Sequence, residues 1–173
     1  MNHGFQRRRL FWLACLGWFV LGSGSAIGQA GKLETARDLQ SESRMAKQRQ
    51  GVLVVLFSRK DCKYCDIVRR DHLAPLLHDS RYKDRILVRQ INQDSTLMLN
   101  DFNGEPTTHS AFSQKEKVSF VPVVAFYGPG GKQLNPPISG LRLPDFYQGY
   151  LEDAIEKSIS QQEPANRKAS LRQ

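Results

Sequence analysis

The chain has 173 residues, 40% of them hydrophobic, which suits one domain built on one core. Much of its formal charge of +8 sits at the ends: Arg7, Arg8 and Arg9 stand without an acid in residues 1–30, and Arg167, Lys168 and Arg172 outnumber Glu163 beyond Gln161. The middle carries about +3 and has no basic helix interleaved with aromatics, so composition gives no support to a nucleic-acid partner.

The basic start, the apolar run Leu10 to Leu21 and the small residues from Gly22 to Ala30 follow the order of a secretory signal peptide. Residues 1–30 are therefore expected to leave, with cleavage after Ala30 (Gly28 also satisfies the small-residue rule). An uncleaved membrane anchor is the rival reading, but twelve apolar residues are short for a bilayer span. Arg8-Arg9-Leu10-Phe11 carries only part of a twin-arginine pattern. Export places the mature chain in the periplasm. Cys15, Trp12 and Trp18 depart with the signal, and the mature chain keeps only Cys62 and Cys65. A lone cysteine pair in an exported protein has no disulfide framework to build.

Residues 33–50, with Leu33, Ala36, Leu39, Met45 and Ala46 among polar neighbours, read as an amphipathic helix stopped by Gly51. Val52–Phe57 is an apolar, β-branched strand. A helix follows the cysteines through Ile67 and Val68, kinked or restarted at Pro75 over Leu76 and Leu77. Ile86–Ile91 is the next strand, and residues 92–107 form an excursion or small hairpin turning at Asn103-Gly104. Thr107 or Thr108 caps a short helix through Lys117, ahead of a second strongly apolar strand, Val123–Tyr127. After the Gly128-Pro129-Gly130-Gly131 turn, Lys132–Ile138 contains Pro136 and Pro137 and is expected at a sheet edge.

The last helix starts near Pro144, and its buried stripe is expected to be Phe146, Tyr150, Leu151, Ala154, Ile155 and Ile159. Residues 31–160 form the domain and residues 161–173 a disordered polar tail. The element order gives an α/β fold, a central mixed β-sheet flanked by helices.

The chemistry lies in Cys62-Lys63-Tyr64-Cys65. A strand that delivers Cys62 onto the first turn of a helix favours its thiolate, and Cys65, one turn on, is placed to attack a mixed disulfide formed there. A structural bridge and half of a zinc site are the bland alternatives. Zinc usually takes four ligands, no second cysteine pair exists, and His72, His78 and His109 lack ligand-like spacing, so no metal is expected. Lys60 and Lys63 favour a negative Cys62 whereas Asp61 opposes it. Phe57, Phe112, Phe120 and Phe126 read as core, and the histidines as surface or capping residues.

With Val121-Pro122 opening a later strand, this pattern resembles the thioredoxin superfamily. Asp101-Phe102-Asn103-Gly104, Phe120-Val121-Pro122, Phe126, Gly130-Gly131-Lys132, Gly140-Leu141 and Pro144-Asp145-Phe146 further resemble its exported SoxW group, associated with sulfur oxidation. The resemblance covers roughly residues 34–159 and implies a thioredoxin-like fold. It also implies a cis bond at Pro122 facing the cysteines, and a client surface including Val121, Pro122, Lys63 and Tyr64. There are departures. Asp61 stands where the family has tryptophan, Lys63-Tyr64 replaces Gly-Pro, and Leu56 occupies the place of a buried aspartate.

The expectation is a periplasmic thiol–disulfide oxidoreductase that reduces protein disulfides through a Cys62/Cys65 pair, itself cycling between dithiol and disulfide. It needs no organic cofactor. Its partners are disulfide-containing client proteins and a membrane or periplasmic electron-donor protein, and it acts as a monomer. The rivals are a disulfide isomerase or oxidase, and a non-catalytic binding module using the same groove. Isomerases of this fold usually add a dimerisation domain, which residues 31–61 are too short to supply.

Overall fold

The structure, a computed structural model, describes residues 32–163. The expected signal peptide with Cys15, and all but the first residues of the expected tail, lie outside them. Helix α1 (Leu39–Gln48) leads to strand β1 (Val52–Ser58), and α2 (Lys63–Ile67) follows the first cysteine. A π-helical segment, Val68–Leu73, joins α2 to α3 (Ala74–Leu76). Then come β2 (Ile86–Asn92), a hairpin of β3 (Met98–Asn100) and β4 (Pro106–Thr108), α4 (His109–Lys115), β5 (Val123–Tyr127), β6 (Gln133–Ser139) and α5 (Pro144–Gln162). The main sheet has the order β2-β1-β5-β6, parallel between β1 and β2 and antiparallel elsewhere.

All seven residues of β1 are buried, because both faces of the sheet are covered. The two-residue side-chain period divides them between two cores. Val52, Val54 and Leu56 join Val68 and Leu73 and the α5 residues Leu151, Ala154, Ile155 and Ile159. Leu53, Val55 and Phe57 join Leu39 and Ala46 of α1 and Phe112 of α4, with the Phe57 and Phe112 rings stacked at 6.2 Å. Each such buried aliphatic or aromatic side chain contributes about 1.5–3 kcal/mol.

Several expectations change once the elements are in place. The first helix begins at Leu39, not Leu33: Thr35 bridges Gln90 of β2 in parallel, and Asp38 caps α1 by accepting from the Ser41 N–H at 2.9 Å. Its end is a Schellman arrangement in which Gln50 is the left-handed residue (φ 53°). The Gly51 N–H bonds Ala46 O and the Gln50 N–H bonds Lys47 O, each at 2.9 Å. Gly51 is required for a different reason, since a Cβ there would lie 1.7 Å from the Arg85 carbonyl oxygen. Pro75 lies where the π-helical segment passes into α3, so a new turn does start there, as expected.

The stripe of α5 is rotated from the expected one. Tyr147 is buried, while Phe146 and Tyr150 are exposed at 65% and 54%. Spacing alone does not distinguish adjacent aromatic residues such as Phe146 and Tyr147 at the start of a helix. Phe120 is likewise exposed rather than core. The helix also runs into the expected tail: Gln162 is buried, Gln161 Nε2 donates to Leu134 O, and Arg85 pairs with Glu163 at 2.8 Å.

His109 is not a surface residue. It is fully buried at the start of α4, where Nδ1 accepts the Asn92 N–H and Nε2–H donates to Ala36 O, both at 3.0 Å. One ring thus ties α4 to β2 and to the segment before α1. This bonding needs a neutral imidazole. Burial is the main reason that its pKa is held below the usual 6.5; the nearby Arg37 charge lowers it further, and the bond to Ala36 opposes the shift. The unfolded chain therefore takes up the proton first, so this contribution to stability is present above about pH 6.5 and is lost as pH falls towards the folded value. The wild type should lose more melting temperature between pH 7.5 and pH 5.5 than His109→Gln, measured by circular dichroism. Equal losses would remove His109 from the account.

Candidate active site

Antiparallel pairing of Phe57 with Val123 brings the end of β1 and the start of β5 to the same end of the sheet. The loop carrying the cysteines leaves from one strand there, and Val121-Pro122 enters the other. Asp61 takes a left-handed conformation (φ 58°), which an aspartate tolerates better than most residues, and the chain then enters α2. Cys62 is the N-cap: it is extended (φ −101°, ψ 97°) and its Sγ accepts the Cys65 N–H at 3.2 Å. Cys62 and Cys65 form a disulfide, with Cα atoms 5.2 Å apart.

The two sulfurs differ in access. Cys62 keeps 9% of its surface and Cys65 none. Lys63 and Tyr64, between them, are exposed, and Tyr64 at 60% is among the most exposed large side chains. The Val121–Pro122 peptide bond is cis, with Val121 half-buried and Pro122 buried. The Pro122 carbonyl accepts the Gly140 N–H at 2.8 Å, which fixes the turn after β6 against this loop.

Polar contacts that spacing did not reveal hold the other flank. Asp94 accepts the Lys60 backbone N–H at 3.0 Å, anchoring the loop before the cysteines to the segment after β2. Arg69 binds Asp66 and also reaches Gln90 Oε1 at 3.2 Å. These residues, with Arg59, Asp61 and Asn92, line a polar cleft of about 590 Å³. Lys60 and Asp94 are 34 positions apart and Arg69 and Gln90 are 21 apart, and only the β1–β2 register brings these two pairs together. Leu56, near the end of β1, is fully buried in the apolar core and lies opposite Gln90. The buried carboxylates among the described residues, Glu42 and Asp101, are paired elsewhere, with Arg89 and Lys115.

A strand, a Cys-x-x-Cys helix N-cap and a proline-led antiparallel strand on a four-stranded mixed sheet form one recognisable arrangement. The family profile of the thioredoxin-like domain matches residues 39–155. The chain belongs to the thioredoxin-like family. Solved structures show the fold at low identity. A thioredoxin-fold protein from Helicobacter pylori is 16% identical, with a TM-score of 0.50 over 64% of this chain and 73% of that one. A poplar thioredoxin h mutant is 14% identical, with a TM-score of 0.50 over 77% of this chain and 88% of that one. Mitochondrial thioredoxin 3 from Saccharomyces cerevisiae, in its oxidised form, is 18% identical over 72% and 93%, with a TM-score of 0.49. No curated protein sequence matches the chain.

The thioredoxin-like cysteine pair suits thiol–disulfide exchange. An N–H aimed at the Cys62 sulfur stabilises negative charge there, and burial disfavours it at Cys65. In the reduced protein, mild iodoacetamide should modify Cys62 before Cys65, as read by peptide mapping. Preferential labelling of Cys65 would reverse the assignment.

Proposed function

We propose that this chain is an exported, periplasmic thiol–disulfide oxidoreductase that reduces disulfides in client proteins. The observation that carries the reading is the Cys62–Cys65 disulfide at a helix N-terminus, with one sulfur reachable and the other enclosed. The dithiol form starts the cycle. Cys62 thiolate attacks one sulfur of a client disulfide, forming a mixed disulfide and releasing a client thiolate, which takes up a proton. Cys65, losing its proton, then attacks the Cys62 sulfur, expels the second client thiolate and closes the Cys62–Cys65 bond. Two electrons and two protons pass to the client. A membrane or periplasmic donor protein returns them, and the net direction follows the reduction potentials, 30 mV being about 1.4 kcal/mol.

Exposed Lys63 and Tyr64 and the Val121-Pro122 loop are the proposed client contacts, and the protein acts as a monomer. The finer resemblance to SoxW-group proteins favours the reductive direction. Insulin reduction with dithiothreitol tests the activity. Cys65→Ser should accumulate mixed disulfides on non-reducing gels because resolution is lost, and Cys62→Ser should accumulate few or none. Equal capture by both variants, or no turnover by the wild type, would sink the directional mechanism.

Export rests on the order basic, apolar, small in residues 1–30. Intact-mass measurement of protein from its native host should show loss of about 3 kDa, the size of a signal of this length. A full-length species in the membrane fraction would make it an anchored form facing the same compartment. A full-length soluble cytoplasmic species would overturn export.

A further inference from the structure

Lys60, just upstream of the candidate nucleophile, gives its backbone N–H to the Asp94 carboxylate at 3.0 Å. We propose that Asp94 is a positioning residue for Cys62: through that bond it holds the loop in the conformation that makes Cys62 the cap of α2 and keeps its sulfur reactive. The inference rests on the function proposed above and adds to it a residue, far from the cysteines in sequence, on which the reactivity of that sulfur depends.

The bond matters because of what lies between Lys60 and Cys62. Asp61 is left-handed (φ 58°). Aspartate enters that region more readily than most residues, but it is still uncommon there, and such a backbone persists where its surroundings impose it. Downstream, α2 imposes it. The Cys62 carbonyl accepts the Asp66 N–H at 3.1 Å, and Cys62 Sγ accepts the Cys65 N–H at 3.2 Å. Upstream, Asp94 holds the loop at Lys60.

Asp94 can act as an anchor because its own segment is tied to β1 and to α4. Asn92 ends β2 opposite Ser58, and buried His109 takes its N–H at 3.0 Å. The Gln93 N–H donates to Ser58 O at 2.8 Å, and the Ser95 N–H turns back to Asn92 O at 3.0 Å. Ser95 O in turn accepts the Ser110 N–H of α4 at 3.0 Å. The Asp94 carboxylate therefore projects from a turn bonded on both sides, and a carboxylate accepts a backbone N–H more strongly than a neutral oxygen does.

Without this bond Asp61 is free to return to the ordinary backbone regions, and Cys62 then leaves the cap position. Its sulfur loses the Cys65 N–H that stabilises negative charge on it, so its thiolate forms only at higher pH. The sign separates this role from a direct charge effect. Removing the negative charge of Asp94 alone would ease ionisation of a nearby thiol and lower that pH. The charged residues that flank Cys62 in the loop and on α2, namely Arg59, Lys60, Asp61, Lys63 and Asp66, stay the same when Asp94 is replaced. A residue that only added stability would leave the thiolate of the folded molecules unchanged.

The test uses the protein as isolated, reduced and freed of reductant, with iodoacetamide as the probe and circular dichroism as the check on folding. In Asp94→Ala the midpoint of the Cys62 alkylation rate against pH should rise by about one pH unit, a loss of about tenfold in thiolate below it. Asp94→Asn keeps an acceptor oxygen and drops the charge, so its midpoint should stay close to that of wild type. A folded Asp94→Ala with an unchanged or lowered midpoint overturns the inference. So does an Asp94→Asn midpoint raised as far as that of Asp94→Ala. Amide hydrogen exchange of the wild type needs no variant: the Lys60 N–H should be protected about tenfold or more, and exchange at the rate of an unstructured amide overturns the bond. Alkylation needs only a thiolate, so insulin reduction reports the redox reading separately. No turnover by wild type overturns that reading, whatever the alkylation profile.

Discussion

Five antiparallel pairings, from Leu53 with Tyr127 to Phe57 with Val123, determine where the chemistry of this chain is located. Because β1 runs out at the end where β5 begins, the loop that carries Cys62 and the loop that carries Pro122 leave the sheet side by side. A slip of one residue would send Leu53, Val55 and Phe57 to the opposite core, and each side is already filled by helices. The register is therefore enforced by two packed layers at once. The parallel pairing of β1 with β2 does the same for the other flank, setting Ser58 against Asn92 and so bringing Asp94 within reach of the Lys60 N–H.

That rigid frame carries a helical run with a change of pitch. The five-residue α2 is capped by Cys62 and contains Cys65, and six π-helical residues follow before α3. His72 in the π segment packs against Tyr147 at 4.7 Å and bonds Gln148 at 3.0 Å. The wider turn places these residues against α5 while Cys62 remains the cap of the first turn. The groove between β6 and α5 shares Tyr147 with this contact, so it has a wall in common with the packing behind the cysteine helix.

Much of this was legible in the sequence because it depends on local rules. The apolar run Val52–Phe57, the proline pair of the edge strand and the Thr108 cap each declare themselves within a few residues. So did Cys62 and Cys65, whose residue type and spacing carry their chemistry. What was not legible depends on partners far along the chain. Thr35 extends because Gln90 is beside it, His109 is buried because Asn92 and Ala36 satisfy both its nitrogens, and Tyr147 rather than Phe146 faces inward because His72 waits there. The strain at Leu143 had no sequence signature at all, since a leucine before a proline reads as ordinary extended chain.

The apolar residue at position 56, near the end of the strand that leads to the cysteines, bears on how such a pair would work. A buried carboxylate close to an enclosed thiol can take its proton, but one at position 56 would also need a partner for its own charge in the core. Here Leu56 is fully buried and faces Gln90, whose amide is already bonded to Arg69 and to Asn92 at 2.7 Å. The chain has thus avoided the cost of burying an acid at that position, and the polar groups nearby are turned towards the cleft at the sheet's end. For the proposed exchange, this moves the acid–base demand outward. The proton released when Cys65 attacks has a natural destination in the client thiolate that the same step expels, since the two are joined through Cys62 at that moment. Resolution then depends on how closely the client is held.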